Sequence, residues 1–408
     1  MKCGWHIYLV SLLAAAAACL LVALPSCRPE HTPRLIEPEG REPLVRVRLT
    51  FDAPAAPVSV RGKWQLYDLA TGRLLQNGED LAPKALAAQG NFLMLNGRSL
   101  ETERAAIVPQ TDGALAVNDL RYRGQLRLFA VEGRVVLVNA LPLESYVAGV
   151  VGAEMPPSWH LEALKAQAVA ARSYALFHMK RPGRSAAFDL SDSPAVHQAY
   201  DGLRKETDTS AAAAVQTRGR VLAWNDQGTE KVLEAFFHST CGGRTLPIQE
   251  VWPGSPPCGP LAGVECGYCR TSPAWHWTLR LPAAMLRERL ILAAPMLTTM
   301  GPIHRLAVRP EDRSPGGVVR AVSAWTTDGE RWPVPVAVFR RAIYASHPIR
   351  SERFEVTLAE GTATITGRGY GHGVGLCQFG AQGLAAQGRS AEAILSYYYP
   401  GSRLVQVY

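Results

Sequence analysis

The hydrophobic rhythm of the chain changes near residue 140. Before that point apolar and polar positions alternate, as in Val45-Arg46-Val47-Arg48-Leu49, the period of a strand with one buried face. Turn signals at Thr71-Gly72, Asn77-Gly78, Asn96-Gly97 and Asp112-Gly113 divide the region into short strands, with no helix of useful length among them. Residues 122–129 and 135–138 read as a strand pair around Glu132-Gly133. Beyond residue 140 a helical period takes over. Between residues 160 and 180, Leu161, Leu164, Ala168, Ala171, Ala175 and Met179 form one stripe, and Ala163, Ala166, Ala170 and Phe177 make the opposite face apolar as well. Such a helix is buried, with Ser158 as N-cap and Pro182-Gly183 as stop. A short helix over 207–215, a hairpin of strands 219–224 and 232–238, and alternating strands and helices over 275–358 follow. The pattern predicts a mixed α+β fold, with a strand-rich amino-terminal region, 44–139, and an α/β region, 140–408.

Two charged residues stand against this pattern. Glu154 follows Val150, Val151 and Ala153 and precedes Met155-Pro156-Pro157, where a helix must stop. With few local charge partners, its carboxyl pKa should be raised. Arg172 falls inside the larger apolar stripe, where an unpaired guanidinium would be very costly. It requires a fixed anionic or carbonyl partner, either in a site or in a structural role.

Composition adds an address. The 408 residues carry a formal net charge of +8, spread mostly as single Arg residues without a basic block. That balance favours an anionic polymer or a membrane surface, and no nucleic-acid motif is present. Residues 1–27 open with Lys2, continue through an apolar run and end at Leu24-Pro25-Ser26-Cys27, an export signal whose end resembles a lipobox with Cys27 as the lipidated residue. Residues 28–43 are polar and contain Pro29, Pro33, Pro38 and Pro43, a semi-extended tether.

The run Pro142-Leu143-Glu144-Ser145-Tyr146 to Glu154-Met155-Pro156, followed by Leu164-Lys165-Ala166-Gln167-Ala168-Val169-Ala170-Ala171-Arg172-Ser173-Tyr174, resembles the stage II sporulation protein D / amidase-enhancer family. The resemblance implies that Glu154 is the catalytic acid of a peptidoglycan transglycosylase and that Arg172 belongs to the same site. Some members bind zinc through two Cys in the loop that follows the central helix. Ser191 and His197 stand at those positions here, so no metal is expected in that loop. Tyr200 matches a site position of the family. His238, in His238-Ser239-Thr240-Cys241-Gly242-Gly243, matches a segment lining the family's cleft.

The carboxyl-terminal string from Gly367 to Ala381 has Gly at 367, 369, 371, 373 and 375. Read as an extended segment, one face is bare, so that another backbone or a flat ligand can approach, while Arg368, Tyr370, His372 and Val374 share the other. No Gly-Lys-Ser/Thr follows, which argues against a phosphate loop. The string is similar to the family's Gly/His motif, which makes His372 and Gln378 expected cleft residues. Cys241, Cys258, Cys266 and Cys269 lie close together in sequence, in a Pro/Gly-rich loop of a chain read as exported. Two disulfides are favoured there over a zinc site of four Cys, or of three Cys and one His. The preferred pairing is Cys241 with Cys269 and Cys258 with Cys266, because a Cys266–Cys269 ring is tight. Cys377 is left as a buried thiol.

The resemblance therefore implies a cleft around the buried Ala-rich helix that acts on peptidoglycan glycan strands stripped of stem peptides. Glu154 would protonate the glycosidic oxygen and then assist 1,6-anhydro ring closure, with no cofactor. A non-catalytic glycan binder that activates a cell-wall amidase is the alternative. Either protein would be an exported, lipid-anchored component of the cell envelope.

Overall fold

The computed structural model describes residues 42–50, 55–110, 114–181, 187–344 and 348–408. The export signal, Cys27, most of the tether, Asp112-Gly113 and Pro182-Gly183 lie outside the described residues. The fold is mixed α+β. A seven-stranded sheet runs in the order Leu190–Ser191, Leu44–Leu49, Arg134–Pro142, Gln125–Val131, Arg104–Pro109, Trp64–Asp68, Leu74–Gly78. The alternation of its first strand has the expected consequence: Val45, Val47 and Leu49 are buried in one core with Val58, Leu86 and Leu115 of a second, six-stranded sheet. Asn96-Gly97 and Glu132-Gly133 adopt successive positive φ angles of 51° and 77° and of 49° and 74°, the hairpin geometry that matches strand twist. Leu190–Ser191 joins this sheet in parallel beside Leu44–Leu49, so residues beyond the central helix complete the strand-rich half.

Helices α1 (Leu143–Glu154), α2 (Leu161–Lys180) and α3 (Asp208–Gln216) pack on one another. The N-cap of α2 is His160, without a side-chain bond, and not Ser158. Thr207 caps α3 in a reciprocal pair with Ser210. The hairpin after α3 pairs Arg220–Asp226 with Thr229–Val232, and not with 232–238. Phe237–His238 is drawn off because it pairs in parallel with Leu376–Cys377. A short helix α4 (Ile248–Val251) follows. Residues 277–365 then form a smaller unit of two three-stranded sheets with α5 (Ala283–Ala293) and α6 (Val336–Ile343) around a separate core. Helices α7 (Gln378–Ala386) and α8 (Ala391–Tyr398) return to pack on α2. Among the described residues no helix is long and apolar enough to cross a membrane.

The side chain of Arg172 is fully buried. Its Nε and Nη2 donate to Glu144 Oε1 and Oε2 at 2.8 and 2.5 Å, while Nη1 and Nη2 donate to the carbonyls of Arg220 and Ala214 at 3.1 and 3.2 Å. Glu144 Oε1 also accepts from Gly219 N at 3.0 Å and Tyr408 Oη at 2.6 Å. One ion pair thus ties α1, α2, the end of α3, the following strand and the last residue of the chain. Burial alone would raise the Glu144 pKa, but the hydrogen bond and charge of Arg172, with the bonds from Tyr408 and Gly219, outweigh it and hold the carboxyl below its ordinary value.

Removing one member of a buried pair leaves the other uncompensated, so Arg172→Met should cost about 3–5 kcal/mol of stability in urea unfolding. The double variant Arg172→Met/Glu144→Leu should recover much of that loss. Because the folded pKa of Glu144 is depressed, its contribution should be complete above its ordinary value of 4.5 and be lost as pH falls through the lower folded value.

Candidate active site

Glu154 is the last residue of α1, and Met155 after it is already extended. Its side chain is half-buried. Oε1 accepts from the backbone N–H of Ala199 at 2.9 Å, and Oε2 from the Gln378 side-chain amide at 3.1 Å. These are neutral donors. Burial raises the pKa of Glu154, and the bonds from Ala199 and Gln378 oppose that rise only in part. Asp192, a second carboxyl with a pKa raised by burial, is engaged by the N–H and hydroxyl of Thr50 at 2.9 and 2.5 Å.

Gln378 begins α7 immediately after the two-residue strand Leu376–Cys377. That strand places Cys377 beside His238, and Phe379 N donates to Ser239 O at 3.0 Å. The glycine string before it is not the extended ribbon predicted from its alternation. Gly369, Gly371, Gly373 and Gly375 all have positive φ, so the chain winds and the intervening side chains do not share a face. Close backbone approach is nevertheless realised. A Cβ at Gly375 would lie 2.0 Å from Phe236 O, and one at Gly371 would lie 2.8 Å from the Cβ of His238.

The two histidines of this wall are neutral by construction. His372 Nε2 donates to Phe237 O at 2.9 Å and Nδ1 accepts from Val374 N at 3.0 Å, which fixes one tautomer. His238 Nδ1 donates to Val374 O at 3.1 Å, leaving Nε2 as a buried acceptor without a partner. Burial pushes the pKa values of His238 and His372 down to about 3 and about 4. Their rings are 5.4 Å apart, and Trp252 and Phe236 pack against His372 at 5.1 and 5.9 Å. Trp252 is partly exposed, so this wall presents aromatic surface of the kind that stacks on sugar rings.

The structure therefore brings Gln378 to Glu154, and joins His238 and His372 to them through the Leu376–Cys377 strand. It does not bring Arg172 there: the anionic partner that burial demands is Glu144. Tyr200 is a core residue whose hydroxyl donates to Asn139 at 2.9 Å and whose ring packs on Tyr146 at 5.1 Å. In the 187–202 loop, His197 Nδ1 accepts from Ser191 N at 3.1 Å. A cavity of about 460 Å³ lined by Leu44, Leu176, Met179 and Tyr408 contains none of the site residues.

The cysteines depart from the predicted pairing. No disulfide joins any of the five described cysteines. The sulfurs of Cys241, Cys266, Cys269 and Cys377 lie within 4.8 Å of one another. Cys241 and Cys269 are 3.4 Å apart and Cys266 and Cys269 3.9 Å apart. Cys258 stands outside this group, half-buried at the entrance to a 3-10 turn. The reason is tertiary, because the parallel pairing of Phe237–His238 with Leu376–Cys377 carries Cys377 to Cys241 across 136 residues.

Several site residues escaped sequence reasoning. The N–H of Ala199 carries no side-chain signal. Phe236 and Trp252 resemble core aromatics, and Cys377 lies more than 100 residues from the other cysteines of its group. Glu144 was legible in principle, since it lies in the same motif as Glu154.

The joined motifs, the central helix pair and the glycine-wound wall define a single protein class. A family model described as Stage II sporulation protein matches residues 131–224. The chain is 31% identical to Stage II sporulation protein D of Bacillus subtilis over 65% of this chain and 75% of that protein. It is 28% identical to an uncharacterized protein of Brachyspira hyodysenteriae over 89% and 93% of the two chains. It is 29% identical to Amidase enhancer of B. subtilis over 63% of this chain and 40% of that protein. The chain belongs to the stage II sporulation protein D family.

Because Gln378 donates to the ionised carboxylate, Gln378→Leu should raise the Glu154 pKa by about 1 pH unit, the equivalent of a net hydrogen bond. Carboxyl ¹³C titration with Glu154→Gln as the assignment control reads this directly. An unchanged or lower value would show that Gln378 does not set the carboxyl.

Proposed function

We propose that the protein is a peptidoglycan lytic transglycosylase, exported and anchored at the cell envelope through Cys27, with Glu154 as its single acid and base. The observation that carries this reading is a half-buried carboxyl with neutral donors and a raised pKa, bonded by Gln378, the residue that follows the strand paired with Phe237–His238. A raised pKa keeps a larger protonated fraction near neutrality, which a general acid requires.

In the first step the Glu154 carboxylic acid gives its proton to the glycosidic oxygen as the C1–O bond breaks. In the second, the carboxylate takes the proton of the muramic acid C6 hydroxyl as O6 bonds to C1. The acid is regenerated, a 1,6-anhydro ring is formed, and no water is consumed. Intramolecular attack removes the need for the nucleophilic or water-activating second carboxylate of ordinary glycosidases. The engagement of Asp192 by Thr50 is consistent with such a one-carboxyl site. The unpartnered Nε2 of His238 is an acceptor suited to a sugar hydroxyl or acetamido N–H.

The test is mass spectrometry of glycan strands free of stem peptides after incubation with the protein. Anhydro-muramic ends should form with the unaltered chain, and Glu154→Gln should lower the rate by about 10²–10⁴. Since the protonated carboxyl is the active form, the rate should fall as pH rises through the elevated pKa of Glu154. Glycan retained without anhydro products would instead support a binder that activates an amidase, the role in the name of the Bacillus relative.

A further inference from the structure

We propose that Cys241, Cys266, Cys269 and Cys377 form a tetrahedral tetrathiolate site for one thiophilic divalent cation of the zinc class, built beneath the wall that carries Gln378. The four sulfurs come from three separate segments and converge within 4.8 Å. Tetrahedral zinc–sulfur bonds of about 2.3 Å place the sulfurs about 3.8 Å apart. The 3.4 Å and 3.9 Å separations of Cys269 from Cys241 and Cys266 straddle that edge length. A disulfide joins sulfurs at about 2.05 Å and pairs them two by two, whereas here every sulfur neighbours the other three. Cys266 and Cys269 also have the C-x-x-C spacing of a zinc knuckle.

The surroundings suit thiolates. Cys241 N donates to Cys377 Sγ at 3.2 Å, and Tyr398 Oη lies 3.2 Å from Cys266 Sγ, positioned to donate to it. Such bonds orient metal-bound sulfur. Cys377 is the N-cap of α7, where the helix dipole favours a negative sulfur. The guanidinium of Arg353 donates to Cys241 O at 2.9 Å and Arg244 O at 3.2 Å, placing a cation against the negatively charged thiolate set. Gly380 keeps the space open: a Cβ there would lie 3.0 Å from Cys266 Sγ and 1.9 Å from Tyr398 Oη. Bound there, the ion cross-links the Gly242-Gly243 loop to the start of α7 and holds Gln378 where it meets Glu154. The site does not depend on the glycan chemistry proposed above, because its test reads metal and not turnover.

The full chain, produced with its export segment and purified without reductant or chelator, is assayed for metals and for thiols alkylated after denaturation in chelator. One zinc per chain is expected, together with alkylation of all four cysteines. Exchange with cobalt(II) should give thiolate-to-metal charge transfer and the intense visible bands of a tetrahedral ion. Cys377→Ser should abolish the cobalt spectrum and Cys258→Ser should retain it. If Cys377→Ser does not fold, the spectrum and metal content of the unaltered chain decide the matter alone. Two disulfides with no bound metal, four free thiols with no bound metal, or iron with inorganic sulfide would each overturn the proposal.

Discussion

The guanidinium of Arg172 cannot be left alone in the interior, and much of the architecture follows from how it is satisfied. Glu144 answers it with both carboxylate oxygens, at 2.8 and 2.5 Å. The remaining donors and acceptors of the pair are met by Ala168, Ala214, Thr217, Gly219, Arg220 and Tyr408. A buried ion pair gains little net stability over a well-packed apolar replacement, because both charges lose hydration. What it imposes is registry. The first turn of α1, the middle of α2, the end of α3 and Tyr408 all meet at the pair.

That arrangement sets the two ends of α1 in opposite electrostatic states. Glu144 at the start is pulled below its ordinary pKa by Arg172 against the effect of burial, and stays ionised. Glu154 at the end is desolvated without a cation and moves the other way. Placing the positive charge at Glu144 and withholding it from Glu154 separates a carboxylate held below its ordinary pKa from a carboxyl raised above it on one helix. The last turn of α1 is held from the far side by Gln378, whose position depends on the pairing of Phe237–His238 with Leu376–Cys377. The glycines at positive φ let that wall approach so closely.

Local chemistry was readable where it was self-contained. The alternation of Val45 to Leu49, the Asn96-Gly97 and Glu132-Gly133 turns and the buried α2 follow from short-range pattern, as does the end of α1 at Glu154. The demand that Arg172 find a partner was also legible from its stripe, but not which partner. A helical wheel gives direction without naming what packs there, and Glu144 and Glu154 were both acidic residues of the same motif. The glycine string misled because alternation is shared by an extended strand and by a chain that winds at every second residue. The cysteines misled for a different reason: nearness in sequence grouped Cys258 with the others, whereas a two-residue parallel ladder decided for Cys377. In each failure the deciding contact joined distant parts of the chain.

A crystal structure of the Glu154→Gln protein with a bound denuded tetrasaccharide would show whether position 154 meets the bond proposed to break. If Glu154 is the acid, a glycosidic oxygen lies within hydrogen-bond reach of the side chain at position 154, about 2.6–3.2 Å, with sugar rings against Trp252 and the His238–His372 wall. A glycan seated elsewhere, with no glycosidic oxygen near that side chain, would rule out Glu154 as the acid.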